Sequence, residues 1–251
     1  MPPGETQQKL EMIREKLGYP SFKIPQESVC WEAVSSTNDI FFVAPCGYGK
    51  SACFTIPAVF SGGLTLVIVP FNAQIESQLE SLRWMRPIVA EKLLRVEEAI
   101  KGKLSASTRL QELTKYTFSN ILDPLIIFGT PELLEYTESL DALSTLSRQG
   151  HLKRIVVDEF DVLEDSKEEY RAVYLELFPR IRKKCRFRGE AIQIMSLTAT
   201  VTKCAILKSR ESSADKSSGA KMVFVKERFL LITNLVLNGK RPTNRCGTLV
   251  E

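Results

Sequence analysis

The chain has 251 residues, 44% hydrophobic and 25% charged, with a formal net charge of +4. This is ordinary globular composition, with enough apolar material for a sizeable core. A single histidine, His151, and six cysteines (30, 46, 53, 185, 204 and 246) with no C-x-x-C pair argue against histidine catalysis, a zinc site or a redox motif.

Other bulk features point the same way. The N-terminus, "MPPGETQQKLEMIREKL", is polar and mixed in charge, unlike a secretory signal. No apolar run approaches the roughly 18 residues of a membrane span. Scattered cysteines without a secretory signal suit a reducing compartment. The expectation is a soluble intracellular protein, nuclear if eukaryotic, with no membrane partner. The charge is uneven. From Val201 onward there are ten Lys/Arg against four Asp/Glu, which leaves 24 against 26 in the rest. A second basic run, "RIRKKCRFR", spans Arg180–Arg188 and reads first as a solvated helix end.

In chain order, short and nearly continuous apolar runs recur at 39–44, 64–69, 124–129, 154–159 and 192–197. Such runs suit strands buried on both faces of a parallel sheet. Helical stretches are expected between them, at about 50–60, 72–100, 131–148 and 168–184. Alternation of this kind predicts an α/β fold: an open, mostly parallel sheet with helices on both faces. Ligands in such folds sit at the carboxyl ends of strands. After a polar, serine-rich break near 209–220, "KMVFVKERFLLITNLVL" reads as one more strand and a helix, followed by a basic tail.

The first strand runs into "APCGYGKS", Ala44–Ser51. Gly47 and Gly49 allow a tight turn whose N–H groups converge, and a helix starts near Lys50. This is the layout of a phosphate-binding loop, in the A-x-x-G-x-G-K-[ST] variant with Ala44 in place of the first glycine. Lys50 would reach the β- and γ-phosphates of a nucleotide, and Ser51 would hold Mg²⁺. Cys46, Gly47, Tyr48 and Gly49 complete the nucleotide-binding turn. The fourth strand ends in "DEFD". Asp158 is placed to share the Mg²⁺, and Glu159 to orient and deprotonate the attacking water. Lys50, Asp158 and Glu159 are thus the candidate catalytic residues, with Ser51 and Asp158 the metal ligands.

A third stretch, "IMSLTATVTK", brings Ser196, Thr198 and Thr200 to the end of a later strand. The series APCGYGKS, DEFD, SLTAT resembles superfamily 2 helicases of the DEAD/DEAH type, whose first domain is a RecA-like P-loop NTPase fold. The resemblance implies that Asp161, Ser196, Thr198 and Thr200 couple the ATP site to nucleic acid. "VPFNAQIESQ" and "GTPELL" resemble the family's strand-contacting segments, implying nucleic-acid contacts at Pro70, Thr130, Pro131 and Glu132. "LGYPSFKIPQESV" resembles the adenine motif of the RecQ family through Gly18, Phe22, Lys23 and Gln26, with Lys23 for the usual Arg and Leu17 for the usual aromatic. It implies that Gln26 pairs with the adenine edge while a cation-bearing side chain stacks on the ring.

The pattern also departs from the family. Phe160 stands where D-E-A-D/H has a small residue, Cys46 replaces the usual Thr, and the aromatic-rich loop that follows D-E-A-H in RecQ proteins is missing. No second RecA-like domain, zinc domain or winged helix is read. The expected organisation is an adenine-motif segment over 1–28, a RecA-like domain over 29–208, a polar linker over 209–220 and a basic tail over 221–251 where a second domain would begin. The function implied is the ATP- and DNA-binding half of a RecQ-like 3′–5′ DNA helicase. Its partner would be single-stranded or partly duplex DNA, with RNA as the other candidate, and a second RecA-like domain supplied elsewhere. As this chain alone it is expected to bind weakly, hydrolyse slowly and not unwind. The alternatives are a catalytically inactive helicase-like remnant serving as a DNA-binding module, and an unrelated phosphate-loop enzyme such as a kinase.

Overall fold

A computed structural model describes residues 3–95, 104–115, 124–159, 177–199, 220–226 and 229–235. Its helices include α1 (Pro3–Lys16), α2 (Ile24–Ser35), α3 (Ala52–Ser61), α4 (Asn72–Leu82), α5 (Ala106–Lys115), α6 (Pro131–Glu135) and α7 (Thr137–Arg148). The strands are β1 (Asp39–Val43), β2 (Leu64–Ile68), β3 (Val89–Lys92), β4 (Leu125–Gly129), β5 (Leu152–Val157), the short pair β6 (Arg186–Phe187) and β7 (Glu190–Ala191), β8 (Gln193–Thr198), β9 (Ala220–Lys226) and β10 (Phe229–Leu235).

Eight strands form one sheet in the order β10-β9-β1-β8-β5-β2-β4-β3. Every neighbouring pair is parallel except the β9–β10 hairpin. The fully buried strands β1, β2, β4 and β8 are covered on both faces, since alternate residues face opposite ways. Phe41 and Val43 of β1 join one buried cluster with Leu110, Leu134, Leu143 and Ile181, from α5, α6, α7 and the helical residues 177–184. Ile40 and Phe42 join the other, with Leu10, Val29, Phe54 and Ile75 from α1 to α4. The predicted α/β architecture is the one found, and all five strands read from the sequence are present.

Three local readings are corrected. The helix expected over 72–100 stops at Leu82, and β3 follows. Pro87 sits between them, and a proline lacks the N–H that an α-helix interior requires. The helix expected over 131–148 breaks at Tyr136, whose extended backbone (φ −60°, ψ 132°) separates α6 from α7. The strand-plus-helix expected after the polar break is a hairpin, with Ile232 opposite Val223. Its first strand lies parallel to β1, so the sheet takes two strands from beyond residue 208. Of the helix expected over 168–184, the described part, 177–184, is helical.

The basic run is partly built into the fold. Arg180 donates to the Glu135 carbonyl at 3.1 Å, Arg182 pairs with Asp39, and Ile181 and Cys185 are buried. Among the described residues, no helix is long and apolar enough to cross a membrane.

Candidate nucleotide site

The site is set by strand order. Strand β8 lies between β1 and β5, so Ser196 pairs in register with Phe41 on one side and Val157 on the other. Thr198 sits beside Val43, and its carbonyl accepts from the Ala44 N–H at 3.0 Å, exactly where the chain leaves β1 for the loop. APCGYGKS, SLT and the Asp158–Glu159 pair therefore emerge from three adjacent strands. Ser196 and Thr198 are buried. Asp161 and Thr200, with Phe160, lie outside the described residues.

The loop has the turn its glycines predict. Gly47 (φ +75°) and Gly49 (φ +87°) are both left-handed, and Tyr48 N–H donates to the Pro45 carbonyl at 3.2 Å. Cys46 is exposed at the tip. Lys50 folds back so that Nζ donates to the Ala44 carbonyl at 3.0 Å, across the turn.

Gln26 secures the loop from behind. It is buried at the N3 position of α2 and accepts from Lys23 N–H at 2.9 Å. Its Nε2 donates to the carbonyls of Tyr48 (2.9 Å) and Gly49 (3.1 Å). Lys23 Nζ stands 4.6 Å over the Tyr48 ring and reaches the Gly47 carbonyl at 3.4 Å. The hydrogen-bonding and stacking capacity expected for an adenine ring is engaged here with the loop itself. Beside it opens a cleft of about 110 Å³ lined by Tyr19, Phe22, Lys23, Gln26, Tyr48 and Ile56. Tyr19 shares a 2.9 Å hydrogen bond with Thr55, and burial holds its phenol above the ordinary pKa, hence neutral.

The acidic pair follows β5. Asp158 is buried, its N–H donates to the Ile68 carbonyl at 2.9 Å, and its Oδ1 accepts from Glu159 N–H at 3.1 Å. Glu159 has a left-handed backbone, φ +52°. Two residues of "VPFNAQIESQ", a stretch whose resemblance implied only nucleic-acid contact, bind this pair from α4. Gln74 Nε2 donates to Glu159 Oε2, and Gln78 joins Asp158 to Ser51. Their spacing of four residues was the available signal, since it puts both on one helix face.

The expected nucleic-acid contacts sit at the same edge of the sheet, one and two strands beyond β5. Val69 N–H donates to the Gly129 carbonyl at 3.0 Å, so the ends of β2 and β4 carry Pro70 and Thr130–Pro131–Glu132 side by side. Pro70, Thr130 and Pro131 are buried. Thr130 Oγ1 and Glu132 Oε2 are buried without a protein partner, and Glu132 borders a cleft of about 270 Å³ shared with Leu94, Arg95, Ser105 and Tyr136.

A family model described as DEAD/DEAH box helicase matches residues 24–207. The ATP-dependent DNA helicase Q5 of Rattus norvegicus is 29% identical over 191 residues, covering 76% of this chain and 18% of that protein. The ATP-dependent DNA helicase RecQ of Synechocystis is 30% identical over 192 residues, covering 76% of this chain and 37% of that protein. The ATP-dependent DNA helicase hus2/rqh1 of Schizosaccharomyces pombe is 32% identical over 177 residues, covering 67% and 12%. The chain thus corresponds to well under half the length of each of these relatives. Among solved structures, the DUF1998 helicase MrfA bound to DNA matches with a TM-score of 0.61 at 19% identity, over 90% of this chain and 30% of that one. The dbp5 of S. cerevisiae matches at 0.56 and 14% identity, over 86% and 52%. At those identities the likeness is one of fold. The chain belongs to the DEAD/DEAH box helicases, as a RecA-like ATP-binding domain related to the RecQ family.

Proposed function

We propose that this chain is the ATP- and DNA-binding first RecA-like half of a RecQ-like 3′–5′ DNA helicase. The observation that carries the reading is the convergence of the Lys50 loop, Ser196–Thr198 and Asp158–Glu159 at the ends of three neighbouring strands. In this reading Lys50 leaves the Ala44 carbonyl for phosphate oxygens, and the left-handed turns at Gly47 and Gly49 let backbone N–H groups of the loop converge on them. The Lys23–Tyr48 stack and Gln26 wall the cleft that receives the base, beside Phe22.

The donor set suits Mg²⁺. Ser51 Oγ and the Asp158 carboxylate are hard oxygen donors. Gln74 Oε1, buried beside Glu159 without a protein partner, is an acceptor that a bound water or ligand would satisfy. When bound, Mg²⁺–ATP supplies the phosphoanhydride whose cleavage drives the motor. Glu159 orients a water and takes its proton. Ser196 and Thr198, with Asp161 and Thr200, relay the state of this site to the strand held near Pro70, Thr130, Pro131 and Glu132. The DNA is single-stranded or partly duplex, and a second RecA-like domain closes the nucleotide from the far side. Lys/Arg-rich segments add salt-sensitive attraction for the phosphate backbone.

The test is ATP turnover with and without single-stranded DNA, beside Lys50→Ala. Loss of a charge-assisted bond to phosphate, worth about 1.5–3 kcal/mol, predicts roughly 10- to 100-fold weaker nucleotide binding. A DNA-stimulated rate that disappears in the variant is the expected result. DNA binding without turnover above the variant would instead favour the inactive binding module. Nucleotide binding indifferent to Lys50 would overturn the assignment.

A further inference from the structure

Gln78 makes two bonds that separate it from an ordinary surface glutamine. Its Oε1 accepts from Ser51 Oγ at 3.3 Å, and its Nε2 donates to Asp158 Oδ2 at 3.3 Å. One amide spans the two groups to which the proposed function gives the magnesium ion. The polarity matters. A serine hydroxyl that coordinates a cation through a lone pair must send its proton elsewhere, and Gln78 Oε1 is the acceptor it reaches. A carboxylate that shares the ion must hold one rotamer. Asp158 is fixed on both oxygens, by Glu159 N–H on Oδ1 and by Gln78 on Oδ2. Helix α4 keeps the amide in place because Ile75 and Leu82, three residues before Gln78 and four after it, anchor the same face in the core.

We propose that Gln78 is a positioning residue for the metal, orienting the Ser51 hydroxyl proton away from the ion and fixing the Asp158 carboxylate towards it. The inference rests on the reading of Ser51 and Asp158 as the magnesium-binding pair. Partners of this kind are typically worth about 10- to 100-fold in metal affinity.

The experiment titrates Mg²⁺ against binding of a fluorescent ATP analogue, with an EDTA baseline, for wild type, Gln78→Leu and Gln78→Glu. Gln78→Leu removes the acceptor and the donor at nearly constant volume. It should raise the half-saturating Mg²⁺ about 10-fold or more and leave the EDTA baseline unchanged. Gln78→Glu retains an acceptor for the Ser51 proton and adds negative charge beside Asp158, so it should need no more Mg²⁺ than wild type. A role confined to holding α4 would shift both variants in the same direction and lower the EDTA baseline, and that result would overturn the proposal. So would a Gln78→Leu titration that overlays the wild type. If wild type binds the analogue with no dependence on Mg²⁺, the reading of the pair as the metal site fails, and this inference with it.

Discussion

Gln26 fills the space that a side chain at Gly49 would need: a Cβ there would stand 2.7 Å from Gln26 Nε2, on a backbone with φ +87°. The amide cannot step aside freely, because it is buried and holds three hydrogen bonds, to Lys23 N–H and to the carbonyls of Tyr48 and Gly49. Gly49→Ala therefore combines left-handed strain of about 1–2 kcal/mol with the loss of one or two bonds at about 0.5–1.5 kcal/mol each. Gly47→Ala pays the strain alone, since nothing lies within 4 Å of its Cβ position. Urea unfolding should rank Gly49→Ala below Gly47→Ala. Adding Gln26→Ala to Gly49→Ala should cost less than the two separate losses combined, because the first removes the obstacle the second meets. Simple additivity would mean that the two residues do not press on each other.

Asp39 and Arg182 form an ion pair far from the loop, at the start of β1. The side chains are 9% and 12% exposed, low enough for desolvation to matter. Asp39 Oδ1 also accepts from Ile194 N–H at 2.9 Å, and Arg182 donates to the Ile192 carbonyl at 3.2 Å, so the pair ties β1 to β8 and to the helical residues 177–184. Asp39→Ala leaves the guanidinium buried without its carboxylate, which costs about 3–5 kcal/mol. Asp39→Asn should cost less, because the amide oxygen still accepts from Ile194. Denaturant midpoints for the two variants check the order, and nucleotide affinity of the folded protein should stay at the wild-type value in both.

The parts of this molecule that were legible in the sequence share a physical cause. Strands buried on both faces are nearly continuous in apolar residues, so Ile40–Val43, Leu64–Ile68 and Leu125–Phe128 announced themselves. Lys50, Ser51, Asp158 and Glu159 were visible because a polar cluster at the end of such a strand is conspicuous. β3 was overlooked although Pro87 marked the break. β10 was read as helix because a short apolar run such as "FLLITNL" fits either period until its hairpin partner is known. Gln74 and Gln78 lie in "VPFNAQIESQ", whose resemblance pointed to nucleic acid and not to the acidic pair. Their role comes from the approach of α4 to β5, a tertiary fact, and a glutamine on a half-exposed helix looks the same with or without it.

Gln74 also bears on how nucleic acid and hydrolysis are joined. Its Nε2 donates to Glu159 Oε2, and the Glu159 backbone is held in a left-handed conformation that a non-glycine residue adopts only under constraint. Phe71, 48% exposed, is the N-cap of α4 and lies three residues before Gln74. If nucleic acid engages this edge as proposed, a strand touching the exposed Phe71 would have less than one helical turn to cover before it met the side chain bonded to Glu159. Gln74→Leu should lower kcat for ATP hydrolysis about 100-fold, the lower end of what a positioned general base contributes, with KM for ATP within about threefold of wild type. It should also bring the ratio of DNA-stimulated to basal turnover down towards one. Steady-state rates with and without single-stranded DNA separate the two effects. Equal loss of both rates would leave Gln74 as an aid to Glu159 alone, with coupling carried by Ser196 and Thr198. A selective loss of stimulation would make α4 the lever between the strand and the water.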